Sequence, residues 1–291
     1  MTPVEKYNNV YYKRDDLFIP FGKDSVNGGK VRQAIHLFDD LHDDIRDNHN
    51  GGVVLASSVH SLQSVVVARL AKQHNFNCIV AVGGSKDETL YNHSMMKLVR
   101  YYGGEVLNVA GHGMSNVIDA RVRDIIIPKT GYKLIKFATN LETNPDAIFE
   151  GVIDEVANIP DHLDNLIVSI GSGIQFTGII KGLQKHNKKV KRIIGISFCD
   201  RSSNINKWLD IFKYENFPEE IIKFPEYEIY LTEYPYAKSI WEKVGDFYLD
   251  DIYEGKAHRW MRENIDTENE KTLFWIIGRR FTKEEVETKI L

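Results

Sequence analysis

Short apolar runs alternate with stretches of helical periodicity along most of this chain. The apolar runs are GGVVLAS (51–57), CIVAVGG (78–84) and EVLNVAG (105–111), followed by helical stretches at 65–71, 89–102 and 116–127, and the alternation returns at 165–183 and 190–198. Strands that alternate with helices of about 10–15 residues predict βαβ units and parallel sheets. We therefore predict an α/β fold of two lobes, each a twisted, mainly parallel sheet flanked by helices. The predicted large lobe spans 1–45 and 146–291, and the small lobe spans 46–145.

The charge and cysteine content exclude several classes of protein. The 291 residues carry 37 Lys and Arg against 41 Asp and Glu, and these charges are interleaved, so no basic face for a phosphate backbone is visible. Cys78 and Cys199 lie in apolar stretches, where thiols are usually inert, which indicates a reducing, cytoplasmic location. The N-terminal residues lack the apolar segment of a signal peptide, and no run is apolar enough to span a membrane.

A lysine stands at the predicted start of a helix in NGGKVRQAIHLF (27–38). The apolar residues of this helix fall on one face, at Val31, Ala34, Ile35, Phe38 and Leu41. A cation at a helix N-terminus opposes the helix dipole at a cost of about 0.3–1 kcal/mol. Lys30 is therefore either an exposed residue that tolerates this cost, as most lysines are, or an amine that loses its proton and forms a Schiff base with an aldehyde.

A glycine loop follows the apolar run at 165–170, in the sequence GSGIQFTG (171–178). The pattern predicts that a strand ends at Ile170 and that a helix begins near Gln175 or Phe176. Strand, glycine loop and helix N-terminus together form a phosphate-binding arrangement, although an ordinary turn has the same pattern. The spacing matches neither the dinucleotide fingerprint nor the P-loop.

Two further stretches are ambiguous when each is taken alone. The sequence DDIYEGKAHRWM (250–261) predicts a polar turn with a solvated pair formed by Glu254 and Lys256. The sequence ASSVHSLQ (56–63) places hydroxyls and an imidazole between a strand and a helix. Ser58 and His60 there either contact a ligand or cap the helix.

Taken together and in this order, these stretches resemble the pyridoxal-phosphate enzymes of fold type II, the tryptophan-synthase-β type. The resemblance is greatest to the 1-aminocyclopropane-1-carboxylate (ACC) deaminase and D-cysteine desulfhydrase branch. The matching motifs are KRDDL (13–17), NGGKVRQ (27–33), GSGIQFTG (171–178), DDIYEGKAHRWM (250–261) and TLFWIIGRR (272–280), which run collinearly over nearly the whole chain.

The resemblance implies pyridoxal 5'-phosphate as the cofactor, no metal, and specific roles for the matching residues. Lys30 would form the Schiff base, and Glu254 would meet the pyridine nitrogen and keep it protonated, so that the ring accepts electrons from a carbanion. Relatives of the desulfhydrase type have Thr in place of this glutamate, whereas YEGK is the ACC deaminase form. Tyr253 would act as acid, base or nucleophile. The implied phosphate-binding residues are Gly171, Ser172, Gly173, Ile174, Gln175 and Thr177.

The substrate loop departs from the family pattern. Where the family has S-N-H or S-x-N-H, ungapped alignment of SSVHSL places Ser58 at the serine, His60 at the asparagine that touches the cofactor ring hydroxyl, and Ser61 at the histidine. Val59 replaces the glycine that opens the loop. Ser58, also a candidate catalytic residue, and Ser61, Gln63 and Tyr236 are the candidate substrate contacts. Residues 200–240 match nothing in the family pattern, so ACC itself gains no support as the substrate.

Three functions remain open from the sequence. The first is a lyase or deaminase that acts on a free amino acid through an external aldimine and a carbanion. The second is a decarboxylase or lyase of an amino acid attached to a larger carrier, such as modified nucleic acid. The third is a binding module that keeps the cofactor fold without catalysis. The resemblance implies a homodimer and a small-molecule amino-acid substrate, and the absence of a long apolar run predicts no membrane partner.

Overall fold

The computed structural model describes residues 1–23, 25–84, 86–111, 113–136, 145–213 and 224–290. Contacts divide the chain into two compact units. The first unit consists of Met1–Pro20, Asn27–Gly29 and Phe149–Arg279, and the second of Phe21–Val26, Lys30–Ile148 and Arg280–Leu291. The lobe limits at 45/46 and 145/146 stay predictions. None of the helices in the described ranges is both long enough and apolar enough to cross a membrane.

Strands and helices alternate along the chain, as the sequence predicts. The strands are β1 (Val4–Tyr7), β2 (Val10–Arg14), β3 (Gly52–Ala56), β4 (Asn77–Gly83), β5 (Glu105–Ala110), β6 (Lys133–Ile135), β7 (His162–Ile170), β8 (Lys189–Ser197), β9 (Glu228–Leu231), β10 (Lys243–Val244), β11 (Phe247–Tyr248) and β12 (Thr272–Ile276). The helices are α1 (Gly29–Asn48), α2 (Leu62–Gln73), α3 (Asp87–Asn92), α4 (Ser94–Tyr101), α5 (Ser115–Arg121), α6 (Ile127–Thr130), α7 (Pro145–Glu155), α8 (Ile174–Lys185), α9 (Ser202–Lys213), α10 (Glu254–Asn264) and α11 (Lys283–Ile290).

The first unit is built on a sheet with the strand order β1-β2-β12-β7-β8-β9 among the described residues. Only β1 and β2 pair in antiparallel fashion, and the other neighbours in this sheet are parallel. All five residues of β12 are buried, and β7 is buried along its last six residues. Burial on both faces is what a parallel sheet covered by helices requires, and it explains the continuous apolar runs in the sequence.

The second unit contains a parallel sheet with the order β5-β4-β3-β6. Every residue of β3 is buried, and so are the last six of β4. Burial raises the pKa of the Cys78 thiol in β4 to about 12, in keeping with the inert thiol that the sequence predicts. The predicted α/β fold, with helices flanking mainly parallel sheets, is confirmed.

Two helices predicted as continuous are interrupted. The predicted helix over 89–102 consists of α3 and α4, because His93 takes an extended conformation and accepts a hydrogen bond from Met95 N through its ring. The predicted helix over 116–127 changes from α5 to a π-helical turn at Val122–Ile126, immediately before α6. Pro128 lies in the first turn of α6 and has no N–H, which favours a local change of helical hydrogen bonding.

The KRDDL motif anchors the N-terminal strands of the first unit. The Lys13 side chain is fully buried, and its Nζ lies 2.6 Å from Glu155 Oε2. Lys13 Nζ also donates to Thr2 O at 2.8 Å and to Asn158 Oδ1 at 2.7 Å. A buried ammonium with three oxygen partners is satisfied, so this lysine has a structural role and holds β2 against the helical segment that ends near residue 158.

Candidate active site

The glycine loop between β7 and α8 has the geometry of an anion site. Gly173 adopts φ +102° at the N-cap of α8, and a Cβ there would lie 3.0 Å from the side chains of Ile205 and Trp208. Glycine is required here by both conformation and space. The cap residue has no side chain to occupy the helix N-terminus, and the first turn of α8 contains no acidic residue. This end of α8 therefore fits a phosphate group.

Thr177 and Gln175 fix this loop from inside α8. Both the backbone N and the hydroxyl of Thr177 donate to Gly173 O, at 2.9 and 3.0 Å. Gln175 Nε2 donates to Asp15 Oδ2 at 3.1 Å, and Trp275 Nε1 donates to the same oxygen at 3.0 Å. Asp15, the acceptor of both hydrogen bonds, is fully buried. The sequence did not reveal this contact, because Asp15 lies 160 residues before Gln175.

The two glycines before Lys30 are dictated by close packing. Gly28 has φ +89°, and a Cβ there would lie 2.3 Å from Ile277 O. A Cβ on Gly29 would lie 2.7 Å from Gln175 Oε1, and Gly29 N donates to Ile277 O at 2.8 Å. These contacts set where α1 begins. Lys30 is its second residue, as the sequence predicts for a lysine at a helix N-terminus.

Glu254 is a buried carboxylate at the start of another helix. It is the first residue of α10, is 2% exposed, and accepts a hydrogen bond from Ile277 N at 3.2 Å. The backbone of Ile277 thus contacts both Glu254 and the residue before Lys30, which explains why the strand and loop of TLFWIIGRR accompany the other motifs. A Cβ on Gly255 would lie 1.9 Å from Ile240 O, so glycine is required there too.

The prediction of a solvated charge pair in YEGK is wrong. Lys256 is only 3% exposed, and its Nζ donates to the carbonyl oxygens of Pro235 and Tyr236 at 2.9 and 2.8 Å. The backbone N–H groups of Ile252 and Tyr253 donate to Asp250 Oδ1, both at 3.0 Å. The local sequence looks polar, yet segments distant in the chain bury it.

Tyr253 and Tyr236 come together next to the glycine loop. Their hydroxyl oxygens lie 3.3 Å apart, and Tyr253 Cε1 lies 3.4 Å from where a Cβ of Gly171 would be. The Phe198 ring lies 4.8 Å from the Tyr236 ring and 6.3 Å from the Tyr253 ring, centroid to centroid. The first unit therefore brings together the glycine loop and both candidate tyrosines.

The SSVHSL segment of the second unit connects β3 to α2. Ser58 Oγ accepts a hydrogen bond from His60 N at 3.3 Å, which closes a short turn. Ser61 is the N-cap residue of α2, but its side chain makes no capping bond. Gln63 Nε2 donates to Lys136 O at 3.4 Å, and Arg280 Nη1 donates to His60 O at 3.2 Å. The capping alternative for Ser58 and His60 is wrong, because neither residue caps α2.

His60 is joined to a second histidine that sequence reasoning missed. His93 Nε2 lies 3.2 Å from His60 Nδ1, and His93 Nδ1 accepts from Met95 N at 3.3 Å. Burial lowers the pKa of His93 to about 4, with His60 and Arg280 adding to the effect. From this hydrogen-bond network we assign the His93 proton to Nε2, which donates to His60 Nδ1, and the His60 proton to Nε2. His93 has no sequence signal, because the periodicity around it is continuous.

The first unit has a mainly parallel sheet, a glycine loop that leads into a helix and a buried carboxylate at the start of a second helix. These features are typical of the fold-type-II class of α/β proteins. The chain belongs to the pyridoxal-phosphate dependent enzyme family, whose model matches residues 1–261. Its cofactor is accordingly pyridoxal 5'-phosphate. The residues present fit this group, since α8 offers an uncapped N-terminus free of acidic residues and Glu254 offers a buried carboxylate.

Comparison with known proteins gives one curated relative and several structures. The O-seryl-dTMP PLP-dependent decarboxylase of Salmonella phage ViI is 25% identical, over 96% of this chain and 81% of that protein. An ACC deaminase homologue has a TM-score of 0.73 at 21% identity, over 100% of this chain and 94% of its own.

Two further structures share the fold at lower similarity. O-ureido-L-serine synthase has a TM-score of 0.63 at 15% identity, over 98% and 90% of the two chains. Threonine deaminase isoform 2 from Solanum lycopersicum has a TM-score of 0.61 at 14% identity, over 99% and 82%. Different reactions are therefore named for proteins of this one fold.

Proposed function

We propose that this enzyme decarboxylates an amino acid carried on a nucleotide, with O-seryl-dTMP as the model substrate. The observation that carries the proposal is the 25% identity to a decarboxylase of that substrate over 96% of the chain. The altered SSVHSL loop supports it, because a free amino acid of the ACC type would not need a different substrate loop. In the reaction the bond from Cα to the carboxylate breaks and CO2 leaves. The electron pair stays on Cα and a proton takes the place of the carboxylate, so a seryl group becomes a 2-aminoethyl group.

Pyridoxal 5'-phosphate supplies, when bound, a ring that withdraws the electron pair left on Cα. In this proposal the Lys30 amine would hold the cofactor and would also deliver the proton to Cα of the substrate. The loop from Gly171 to Thr177 would bind the phosphate. Glu254 would keep the pyridine nitrogen protonated, and the hydrogen bond that Glu254 accepts from Ile277 N would fix the carboxylate for this role.

The remaining candidate residues orient the substrate. His60 would hold the ring oxygen of the cofactor in place of the family's asparagine, because the hydrogen bond with His93 assigns the His60 proton to Nε2. Ser58, Ser61 and Gln63 lie around the α2 N-terminus, which suits a substrate carboxylate. Tyr253, whose hydroxyl is paired with that of Tyr236, serves as the acid or base next to the substrate.

The test is a substrate panel with products scored separately. Holoenzyme is incubated with O-seryl-dTMP, L-serine, D- and L-amino acids and ACC, and CO2, ammonia and keto acid are each measured. We expect CO2 from O-seryl-dTMP and none from free serine. Lys30→Ala removes the absorbance of bound cofactor, whereas Lys129→Ala, at an exposed lysine of α6, retains it. If the wild-type protein binds no pyridoxal 5'-phosphate, both catalytic functions are excluded and the non-catalytic binding module is the function that is left.

A deaminase or lyase of a free amino acid is the second candidate. The observation in its favour is the YEGK sequence, with Glu254 buried and Tyr253 next to the glycine loop. This candidate predicts ammonia and keto acid from a free amino acid in the same panel. The variant Glu254→Thr tests whether Glu254 acts in the reaction or only in binding the cofactor. We expect about a 10²-fold loss of turnover while the cofactor stays bound.

A further inference from the structure

Arg201 and Phe198 lie beyond the end of β8, next to the candidate substrate contact Tyr236, and neither has been given a role so far. Strands β7 and β8 are parallel with Ile170 opposite Ser197, so both end at the same edge of the sheet. The glycine loop leaves β7 at this edge, and residues 198–201 leave β8 beside it. Phe198 and Arg201 thus belong to the same end of the sheet as the glycine loop.

Arg201 has an incomplete set of partners. Its Nε is buried and has no hydrogen-bond partner among the residues that the structure describes. The neighbouring carboxylate of Asp200 is engaged elsewhere, since its Oδ1 accepts from Ser202 N at 2.8 Å and from Ser202 Oγ at 2.7 Å. A buried guanidinium N–H without an acceptor is unfavourable, and an anionic ligand at this position would supply the acceptor.

One aromatic ring lies beside this cation, and a second ring packs against the first. The Arg201 guanidinium carbon lies 5.6 Å from the centroid of Phe198, and Phe198 and Tyr236 are inclined at 45° with centroids 4.8 Å apart. Both rings are half-buried, so each presents part of its surface to solvent. Half-exposed aromatic rings are suitable surfaces for a nucleobase, and an arginine fork is suited to phosphate.

We infer that Arg201 binds the phosphate of a nucleoside monophosphate and that Phe198 and Tyr236 contact its base. This inference rests on the proposed function and names the part of the substrate that the enzyme recognises. It also explains how a protein with interleaved surface charge can take a nucleotide substrate: one cation and two rings recognise a single nucleotide, and no extended basic face is needed.

The experiment measures binding of dTMP to the holoenzyme, in which the cofactor fills its own phosphate site. The variants are Arg201→Gln, Arg201→Lys, Phe198→Leu and the control Arg121→Gln, at an exposed arginine of α5. We expect Arg201→Gln to weaken dTMP binding about tenfold to a hundredfold, and Arg201→Lys to weaken it less. Binding of thymidine, which lacks the phosphate, is unchanged in both Arg201 variants and weakened in Phe198→Leu. Arg121→Gln behaves as wild type.

Two results overturn the inference: wild-type affinity of Arg201→Gln for dTMP, or equal losses for dTMP and thymidine in that variant. Thermal unfolding and cofactor absorbance of each variant show that it is folded.

Steady-state kinetics with O-seryl-dTMP separate this inference from the proposed reaction. If Arg201→Gln turns over O-seryl-dTMP with an unchanged KM, the nucleotide-site inference is refuted and the proposed reaction is retained. If dTMP binding depends on Arg201 but O-seryl-dTMP yields no CO2, the proposed reaction is refuted and the nucleotide site is retained.

Discussion

His93 Nε2 lies 3.2 Å from His60 Nδ1, and with the His93 proton assigned to Nε2 this hydrogen bond leaves the His60 proton on its own Nε2. His93 is itself held by Met95 N–H, which occupies its Nδ1 at the start of α4. The interruption between α3 and α4 is what places the ring there. The break between α3 and α4, which sequence periodicity does not reveal, therefore sets the position of His93. Through His93 it sets the tautomer of His60, on which the proposed contact with the cofactor depends.

Replacing His93 should change the tautomer of His60. In His93→Phe the donor to Nδ1 is lost, so His60 is expected to populate both neutral tautomers. In His93→Gln the side-chain amide can still donate, and the Nε2–H form should remain dominant. Long-range 15N–1H spectra of the cofactor-free protein measure this directly. A single Nε2–H tautomer in His93→Phe would show that His93 does not set the proton position.

The low pKa of His93 should make stability depend on pH. The folded protein binds a proton there only near about pH 4, whereas the unfolded chain binds one near the ordinary value of 6.5. Between these values the unfolded state binds more protons, so stability should fall as pH decreases from about 6.5 to 4. Urea midpoints over this range should show a smaller decrease for His93→Gln than for wild type. Burial also lowers the pKa of His258, so part of the decrease remains in the variant.

The sequence predicts where the local motifs lie better than it predicts the contacts that hold them. The position of Lys30 follows from two glycines before an apolar helical stripe, and the glycine loop follows from its place after a buried strand. The partners do not follow, because they are remote in the chain: Asp15 reaches Gln175, and Ile277 reaches Glu254. Such pairs depend on the strand order of the sheet, which puts β12 between β2 and β7. No local pattern in the sequence encodes that order.

Gly28→Ala should be far more damaging than Gly22→Ala. Both glycines have positive φ, at +89° and +93°, but a Cβ on Gly28 would lie 2.3 Å from Ile277 O whereas one on Gly22 meets nothing within 4 Å. Gly22→Ala should cost about 1–2 kcal/mol of stability from the backbone conformation alone. Gly28→Ala adds a clash with backbone, for a total of about 3 kcal/mol or more. Thermal and urea unfolding give both values, and equal losses would mean that the backbone at Ile277 moves aside at little cost.

Asp15→Asn should destabilise the protein and weaken cofactor binding together. The buried carboxylate accepts from Thr2 Oγ1 at 2.8 Å as well as from Gln175 and Trp275, and an amide cannot accept at both of its ends. We expect a loss of about 2 kcal/mol in the free energy of unfolding. Because Gln175 packs against Gly29, its displacement should also raise the dissociation constant of pyridoxal 5'-phosphate, measured by absorbance titration of the apoenzyme. Asp43→Asn, at an exposed surface pair with Arg46, is the control and should change either quantity little. Unchanged cofactor affinity in a destabilised Asp15→Asn would restrict Asp15 to a role in folding.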